Sequence, residues 1–368
     1  MTFSSLSHVK LDYPWTAAPL IVSAPMLNIA TANLAAAVSL AGGLGFIAGG
    51  YDLSHLEKEL VDARRLINEV TFKTSYRQQN PPQESPVLPV GVGFLNWGAS
   101  LETALPLIKT YRPCAIWLFA PKTGADDLLP WVQRIRSESP YNVKIWVQLC
   151  CVVDAMECVQ KLQPDVLVVQ GCDAGGHGYA RSASVITLLP EIVDQLDLSR
   201  PHKLHRPSIV AAGGIVDGRG VAAAVTLGAD GCAMGTRFLA SPEAQISKGY
   251  QKEILRASDG GVSTVRSTVY DKVRGIYGWP GRFDGRGLIN RSYEDILNKV
   301  VTEDENRHLY EREKLKGDHG WGSQGRMTTY AGTGVGLIRE VLPAGQIVTK
   351  TRQDAMKPLQ QPSFTARL

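Results

Sequence analysis

The stretch Val168-Val169-Gln170-Gly171-Cys172-Asp173-Ala174-Gly175-Gly176-His177-Gly178 decides the fold prediction for this chain of 368 residues. An apolar run that ends at Val169 leads into a glycine-rich loop, and the loop contains one histidine, His177. Apolar runs are typical of buried parallel strands, and glycines after a strand let the backbone approach a ligand closely. Because an imidazole titrates near neutral pH, it can accept or donate a proton. The stretch therefore predicts an active site at a strand end, beside a bound cofactor.

Strand-like and helix-like segments alternate through the first 250 residues on both sides of this stretch. The strand-like segments are 20–24, 44–47, 88–93, 115–119, 144–149, 166–169, 208–211 and 231–234. The helix-like segments are 31–41, 53–70, 101–110, 126–137, 155–162, 184–196, 218–227 and 243–255. Regular alternation predicts a parallel sheet. Eight such units predict a closed (β/α)8 TIM barrel, with an open doubly wound sheet as the alternative.

The alternation stops near residue 257. The segment 257–330 is rich in glycine and charge, with helices predicted over 293–299 and 304–314. We interpret it as an appended, mostly helical C-terminal subdomain or lid on the substrate side. An apolar helix predicted over 332–340 returns to the barrel, so the barrel is assigned 1–256 plus 331–345. Residues 346–368 are expected to form a C-terminal tail.

Composition excludes several classes of protein. The 44% hydrophobic and 20% charged residues are typical of a globular protein. A net charge of +4, without a basic cluster interleaved with aromatic residues, argues against nucleic acid as a partner. The six cysteines lack CxxC and zinc spacing, and no histidine pair has metal-ligand spacing, so we predict no metal site. Reduced thiols are typical of intracellular proteins.

The stretch 13–51 contains no charged residue, which raises the question of a membrane span. Its apolar runs are short and interrupted by Pro25 and several glycines, so buried strands and a helix are favoured over a spanning helix. No cationic n-region precedes this stretch, so a signal peptide is not predicted. We therefore expect a cytoplasmic protein without membrane attachment. The terminal Ala366-Arg367-Leu368 is a relaxed form of the peroxisomal address, and a plain disordered tail is the alternative.

Glycines also follow the seventh and eighth predicted strands. The two stretches are Ala211-Ala212-Gly213-Gly214-Ile215 and Ala233-Met234-Gly235-Thr236-Arg237. TIM barrels commonly bind phosphate at these two loops, and bare backbone N–H groups at helix N-termini attract anions. Thr236 adds a hydroxyl donor and Arg237 a positive charge. The sequence predicts an anion site here, and ordinary tight β-to-α turns are the alternative.

Other residues at strand ends have two interpretations each. Gln170 can hydrogen-bond a heterocycle or fill the top layer of the barrel core. Pro25 and Met26 can line a planar cofactor or form a turn with a core methionine. His177 is a proton acceptor or a loop histidine bonded to a carbonyl. Cys172 is interpreted as a buried small hydrophobe rather than a thiolate nucleophile, because no partnering acid accompanies it.

Five motifs then occur together in one order. They are Ala24-Pro25-Met26, Ala41-Gly42-Gly43-Leu44-Gly45, Gln170 with Gly175-Gly176-His177-Gly178, Ala212-Gly213-Gly214-Ile215, and Met234-Gly235-Thr236-Arg237-Phe238. In these motifs the chain resembles the nitronate monooxygenases, formerly called 2-nitropropane dioxygenases, over residues 17–256 and more weakly over 331–337. The resemblance implies an FMN-dependent barrel that oxidises alkyl nitronates with O2 to a carbonyl compound and nitrite. Some members of the family also accept the neutral nitroalkane.

The resemblance also implies roles for individual residues. His177 would be the catalytic base that removes the α-proton of a nitroalkane. The implied FMN-binding residues are Pro25, Met26, Gln170, Gly175, Gly176, Gly213, Gly214, Ala233, Met234, Gly235 and Thr236, with the phosphate on Gly213, Gly214, Gly235 and Thr236. Members often carry an asparagine near the end of the third strand. This chain has Gly93 there, and Asn96 is the nearest substitute.

Three other functions fit parts of the pattern. An FMN-dependent NAD(P)H reductase of the enoyl or quinone type uses the same barrel and a similar glycine–histidine loop. A purine-nucleotide dehydrogenase would need Cys172 as its covalent nucleophile, and the loop around Cys172 argues against that. A non-enzymatic flavin- or phosphate-binding protein would need only the glycine loops. Anaerobic mixing with a nitronate and, separately, with NADH discriminates among these hypotheses.

Overall fold

The computed structural model describes residues 6–69, 87–198 and 206–360, and eight parallel strands close into a barrel at its centre. The strands of the described residues are β1 Leu20–Ser23, β2 Leu44–Gly50, β3 Leu88–Leu95, β4 Pro113–Phe119, β5 Lys144–Leu149, β6 Val166–Gln170, β7 Gly176–Tyr179, β8 Ser208–Ala212, β9 Gly231–Met234, β10 Thr264–Ser267 and β11 Phe283–Leu288. The barrel order is β1-β2-β3-β4-β5-β6-β8-β9, and β9 pairs with β1. This closure confirms the predicted (β/α)8 barrel and excludes the open sheet.

Helices alternate with the barrel strands and continue after them. The helices of the described residues are α1 Leu6–Asp12, α2 Ala32–Leu40, α3 Leu56–Glu69, α4 Leu101–Tyr111, α5 Ala125–Glu138, α6 Val152–Leu162, α7 Val185–Leu198, α8 Gly218–Thr226, α9 Thr236–Leu239, α10 Lys248–Arg256, α11 Gly260–Ser263, α12 Val269–Val273, α13 Arg291–Leu297, α14 Glu303–Lys314 and α15 Ala344–Leu359. Short 3-10 turns cover Gly317–Gly320 and Thr333–Leu337. The predicted helices at 293–299 and 304–314 are confirmed as α13 and α14.

Large aromatic side chains fill the barrel interior. Trp117 and Trp146 stack with ring centroids 5.6 Å apart, and Phe46 lies 5.0 Å from each of them. Tyr13, which precedes β1, accepts a hydrogen bond from Trp146 Nε1 at 2.7 Å. This packing fills the interior with protein and closes its amino-terminal end. Any ligand site in the barrel must therefore lie at the opposite, carboxyl end of the strands.

The segment after the barrel strands contains strands as well as helices. β10, β11 and β7 form an antiparallel sheet outside the barrel, and His177 of β7 faces Gly285 of β11 in register. The loop after β6 is thereby paired with a segment more than 100 residues later in the chain. The assignment of 257–330 to a separate subdomain stays a prediction, but this sheet attaches that segment directly to the predicted active-site loop.

Two predictions near the C-terminus are wrong. Residues 332–340 form no α-helix but contain the 3-10 turn Thr333–Leu337, because glycines at 332, 334 and 336 disfavour helix. The helix that returns to the barrel is α15, which packs on α2 and α8 and buries Ile347, Val348 and Ala355. Residues 346–359 are therefore a packed helix, not a tail. The terminal Ala366-Arg367-Leu368 lies outside the described residues.

None of the helices in the described ranges combines the length and apolarity needed to cross a membrane. Within the same ranges, His, Cys, Asp and Glu side chains form no group of three or more that could hold a metal ion. All six cysteines are described, and each is a free thiol.

Candidate active site

A cavity of about 430 Å³ lies at the carboxyl ends of the barrel strands. This is the end at which TIM barrels carry their active sites, and the volume lies within the about 300–1,000 Å³ of small-molecule and cofactor sites. The structure brings most of the predicted site residues together here. The predicted residues that line the cavity are Pro25, Met26, Gln170, Gly175, Gly176, His177, Gly213, Gly214, Ala233, Gly235 and Thr236.

Met234 is a predicted residue whose side chain does not line the cavity. It is fully buried in the apolar layer between the barrel and its helices, together with Ile21 and Phe238. Successive residues of a strand point to opposite faces of the sheet. Because Ala233 faces the barrel interior, Met234 of β9 must face outward.

The loops after β8 and β9 form a cradle of bare backbone. Gly213 and Gly214 have φ values of +99° and +75°, a conformation that favours glycine. Among the described residues, the backbone N–H groups of Gly214, Gly235 and Thr236 have no hydrogen-bond acceptor. Thr236 Oγ1 accepts from Gly332 N–H at 3.0 Å, so its hydroxyl hydrogen is left to donate. The cradle therefore offers several N–H and O–H donors to an anion.

Arg237 does not contribute the positive charge that the sequence suggested. Its Nη1 donates to the carbonyl oxygen of Glu340 at 3.1 Å, and its side chain does not line the cavity. Burial lowers the pKa of this guanidinium. The donors that the cradle offers to an anion are therefore backbone N–H groups and the Thr236 hydroxyl, without a cation from α9.

His177 also lines the cavity and is held by Asp271. His177 Nε2 lies 2.8 Å from Asp271 Oδ2 and 3.0 Å from Oδ1, and the two side chains are 11% and 6% exposed. Because a carboxylate only accepts, Nε2 carries the hydrogen of the neutral ring and Nδ1 carries the lone pair. No hydrogen bond to Nδ1 is formed by the described residues. Burial lowers the pKa of His177, although Asp271 opposes the shift, and this direction favours the neutral ring.

Residues of the appended segment surround this pair. Tyr330 donates its hydroxyl to Asp271 Oδ1 at 2.9 Å, and Trp279 stacks on the His177 ring. Sequence reasoning missed Asp271, Trp279 and Tyr330. The available signal was that a histidine base generally needs an orienting carboxylate. This signal does not show which acidic residue provides it, and Asp271 lies 94 positions away in the sequence.

Gln170 supports the loop that carries His177. Its Nε2 donates to the His177 carbonyl oxygen at 3.2 Å, and its Oε1 accepts from the Cys150 thiol at 3.2 Å. Cys172 does not line the cavity, and burial raises the pKa of its thiol. A raised thiol pKa disfavours the thiolate, which supports the interpretation of Cys172 as a small hydrophobe.

The structure also explains the absence of an asparagine from the third strand. A Cβ atom on Gly93 would lie 2.4 Å from Pro25 Cβ, so no larger side chain fits beside Pro25. Asn96 accepts a hydrogen bond from Phe119 N–H at 2.9 Å and does not line the cavity. Asn96 therefore does not substitute for the missing side chain.

Comparisons with known proteins agree on one family. The family model described as nitronate monooxygenase matches residues 13–84 and 129–354. "Nitronate monooxygenase npaC" of Metarhizium robertsii is 46% identical over 93% of this chain and 92% of its own length. A nitronate monooxygenase of Neurospora crassa is 35% identical over 97% of this chain and 94% of its own length.

Solved structures share the fold at lower identity. The nitroalkane oxidase of Streptomyces ansochromogenes has a TM-score of 0.69 and 22% identity, and the match covers 95% of this chain and 98% of that one. FabK of Thermotoga maritima has a TM-score of 0.66 and 22% identity, with 96% of both chains covered. At these identities the similarity supports the barrel fold alone.

Proposed function

The chain belongs to the nitronate monooxygenase family and is an oxidoreductase, and we propose that it oxidises alkyl nitronates with O2 to a carbonyl compound and nitrite. We further propose that FMN is its cofactor and that His177 is the general base when a neutral nitroalkane is the substrate. The observation that supports this most directly is His177, which lines the cavity and bonds to Asp271, together with the cradle of backbone donors in the wall of the same cavity.

The chemistry of the cavity fits FMN. The N–H groups of Gly214, Gly235 and Thr236 match a phosphate, which accepts several hydrogen bonds and carries negative charge. Pro25 and Met26 add an apolar surface for a planar ring system to the wall of the same cavity. Bound FMN would take up the electrons of the substrate and react with O2.

The residues of the chain account for the proton. The α-hydrogen of a neutral nitroalkane is removed as a proton, and His177 Nδ1 holds the lone pair that accepts it. The ring then becomes an imidazolium, which Asp271 stabilises through the hydrogen bond at Nε2. A preformed nitronate has already lost this proton, so its oxidation does not need the base.

The test compares wild type with His177→Asn, both loaded with FMN. We expect the variant to keep its flavin spectrum and to lose turnover of nitroethane by about 10²–10⁴-fold, the usual contribution of a general base. Turnover of ethylnitronate should change much less. Equal losses on both substrates would show that His177 does not act simply as the base.

An anaerobic experiment separates this function from the reductase alternative. The visible flavin spectrum should change on mixing with ethylnitronate and stay unchanged with NADH. Bleaching by NADH alone would instead assign the protein to the flavin reductases, and a purified protein without flavin would overturn the cofactor proposal.

A further inference from the structure

Trp279 covers one face of the proposed base. The centroids of the indole and imidazole rings are 3.6 Å apart, and their planes differ by 5°. Trp279 also lines the cavity and belongs to residues 274–282, between α12 and β11. We propose that Trp279 is a positioning residue for proton abstraction, an inference that rests on the proposed function. It fixes the plane of the His177 ring, so that Nδ1 keeps one orientation within the cavity.

The hydrogen bond to Asp271 restrains only part of the ring's motion. Nε2 bonds to both carboxylate oxygens, at 2.8 and 3.0 Å, which holds one edge of the imidazole. The ring can still rock about the line that joins Nε2 to the carboxylate. An indole parallel to the ring at van der Waals distance blocks this rocking, because the rings would collide. Proton transfer depends steeply on such orientation.

Trp279 is itself held by other aromatic residues. Its ring centroid lies 5.6 Å from that of Trp97, 6.0 Å from Phe283 and 6.3 Å from Phe119. These are ordinary distances for aromatic pairs in a packed cluster. The residue before it, Gly278, is needed for close approach, because a Cβ there would lie 2.0 Å from Trp97 Cζ3. The indole therefore has a defined place and can impose one on His177.

This role makes a prediction that simple packing does not make. If Trp279 only filled space, an aliphatic replacement would affect all substrates through stability or cofactor binding. If it orients His177, the effect falls on the step that uses His177, which is the removal of the α-proton. Neutral nitroalkanes and preformed nitronates therefore separate the two roles.

The experiment uses FMN-loaded Trp279→Leu and Trp279→Phe, with Tyr277→Ala as a control. Tyr277 is 67% exposed in the same segment, so its removal tests the segment without removing the stacked ring. We would measure kcat and KM for nitroethane and ethylnitronate, and the kinetic isotope effect with α-deuterated nitroethane. Circular dichroism and the flavin spectrum check that each variant is folded and loaded.

We expect Trp279→Leu to lower kcat for nitroethane by about 10–100-fold, as misorientation of a reacting group does. The isotope effect should rise, because proton transfer becomes slower relative to other steps. Ethylnitronate turnover should stay within about threefold of wild type, and Trp279→Phe should lose only about threefold on nitroethane. Tyr277→Ala should match wild type.

Two results would overturn the inference: unchanged nitroethane kinetics in Trp279→Leu, or equal losses on both substrates. If Trp279→Leu fails to fold, Trp279→Phe decides: a loss confined to nitroethane supports the role, and no loss or an equal loss on both substrates refutes it. His177→Asn, measured in parallel, distinguishes the failures. Should that variant keep nitroethane turnover, the proposed base is wrong and the role of Trp279 falls with it. Should only Trp279→Leu behave as wild type, the proposed function stands without this role.

Discussion

The cavity has one side formed by the barrel and one side formed by the appended segment 257–330, and the two sides contribute different kinds of group. The barrel side combines apolar side chains such as Met26 with bare backbone at Gly213, Gly214 and Gly235. The appended side offers side chains, with Asp271 bonded to the ring of His177 and Trp279 stacked on it. His177 lies between the two, on a strand that pairs with β11 of the appended segment. In the proposed function, anion binding and base positioning therefore belong to separate parts of the chain.

This division predicts that the two functions can be lost separately. A change on the appended side should impair proton abstraction while FMN stays bound. A change in the glycine cradle should weaken FMN binding while the His177–Asp271 pair stays intact. The following variants test the comparison from its strongest expected effect to its weakest.

The largest effect is expected from Asp271→Asn. An asparagine amide can donate to Nε2 and so place the ring hydrogen on Nδ1, which removes the lone pair that accepts the α-proton. We expect kcat/KM for nitroethane to fall by about 10²–10³-fold, with ethylnitronate turnover within about threefold of wild type. Steady-state kinetics on the two substrates measures this.

Asp284→Asn is the matched control for that variant. Asp284 lies on β11 and interacts with His177 electrostatically, but it forms no hydrogen bond with the ring among the described residues. Its substitution removes a nearby charge and leaves the orientation of the imidazole unchanged. If Asp284→Asn and Asp271→Asn were equally impaired, charge rather than tautomer control would explain the effect.

Sequence reasoning identified the barrel side better than the appended side, for a physical reason. Buried strands leave apolar runs, and close backbone approach leaves glycines, so both are visible locally in a stretch such as 166–178. Asp271 lies in a short helix of a charged segment, and its role arises only from pairing of β7 with β11. The roles of Pro25, Met26, Gln170 and the glycines toward FMN stay predictions.

The differences from expectation have equally local causes. Met234 stands in the β9 motif, but alternation along the strand turns its side chain away from the cavity, and its role toward FMN stays a prediction. Residues 332–340 are apolar enough for a helix, yet their glycines favour the 3-10 turn. The helix α15 gives only a weak apolar pattern, because polar and charged residues follow its buried pair Ile347 and Val348 and surround the buried Thr351.

A smaller effect is expected from Gly235→Ala on the barrel side. The new methyl group would lie 3.6 Å from Met26 Sδ and 3.9 Å from Ala24 Cβ, which are ordinary contacts, so the fold should be kept. The methyl group would also reduce the space beside the N–H donors that we assign to the phosphate. We expect FMN to bind about tenfold more weakly, equivalent to about 1.4 kcal/mol of overpacking.

Gly261→Ala is the control for this variant, because no atom lies within 4 Å of its added methyl group. Fluorescence titration of the apoprotein with FMN compares the two variants with wild type. Wild-type affinity in Gly235→Ala would refute the assignment of the phosphate to this loop, whatever the outcome for Asp271→Asn.

The smallest effect concerns the pH dependence of stability, and it tests how completely the two sides of the cavity bury His177. Burial lowers the pKa of His177 in the folded protein, whereas the unfolded chain titrates near the ordinary value of about 6.5. Below that pH the unfolded state binds the proton first, so acidification favours unfolding. The stabilising contribution of the neutral ring is present above pH 6.5 and is lost as the pH falls toward the lowered pKa.

His177→Asn lacks this titration, so between pH 7.5 and 5 the wild type should lose more free energy of unfolding than the variant in urea denaturation. Equal losses would mean that His177 accepts a proton as readily in the folded protein as in the unfolded chain. Asp271 would then offset the desolvation that the barrel and the appended segment impose together.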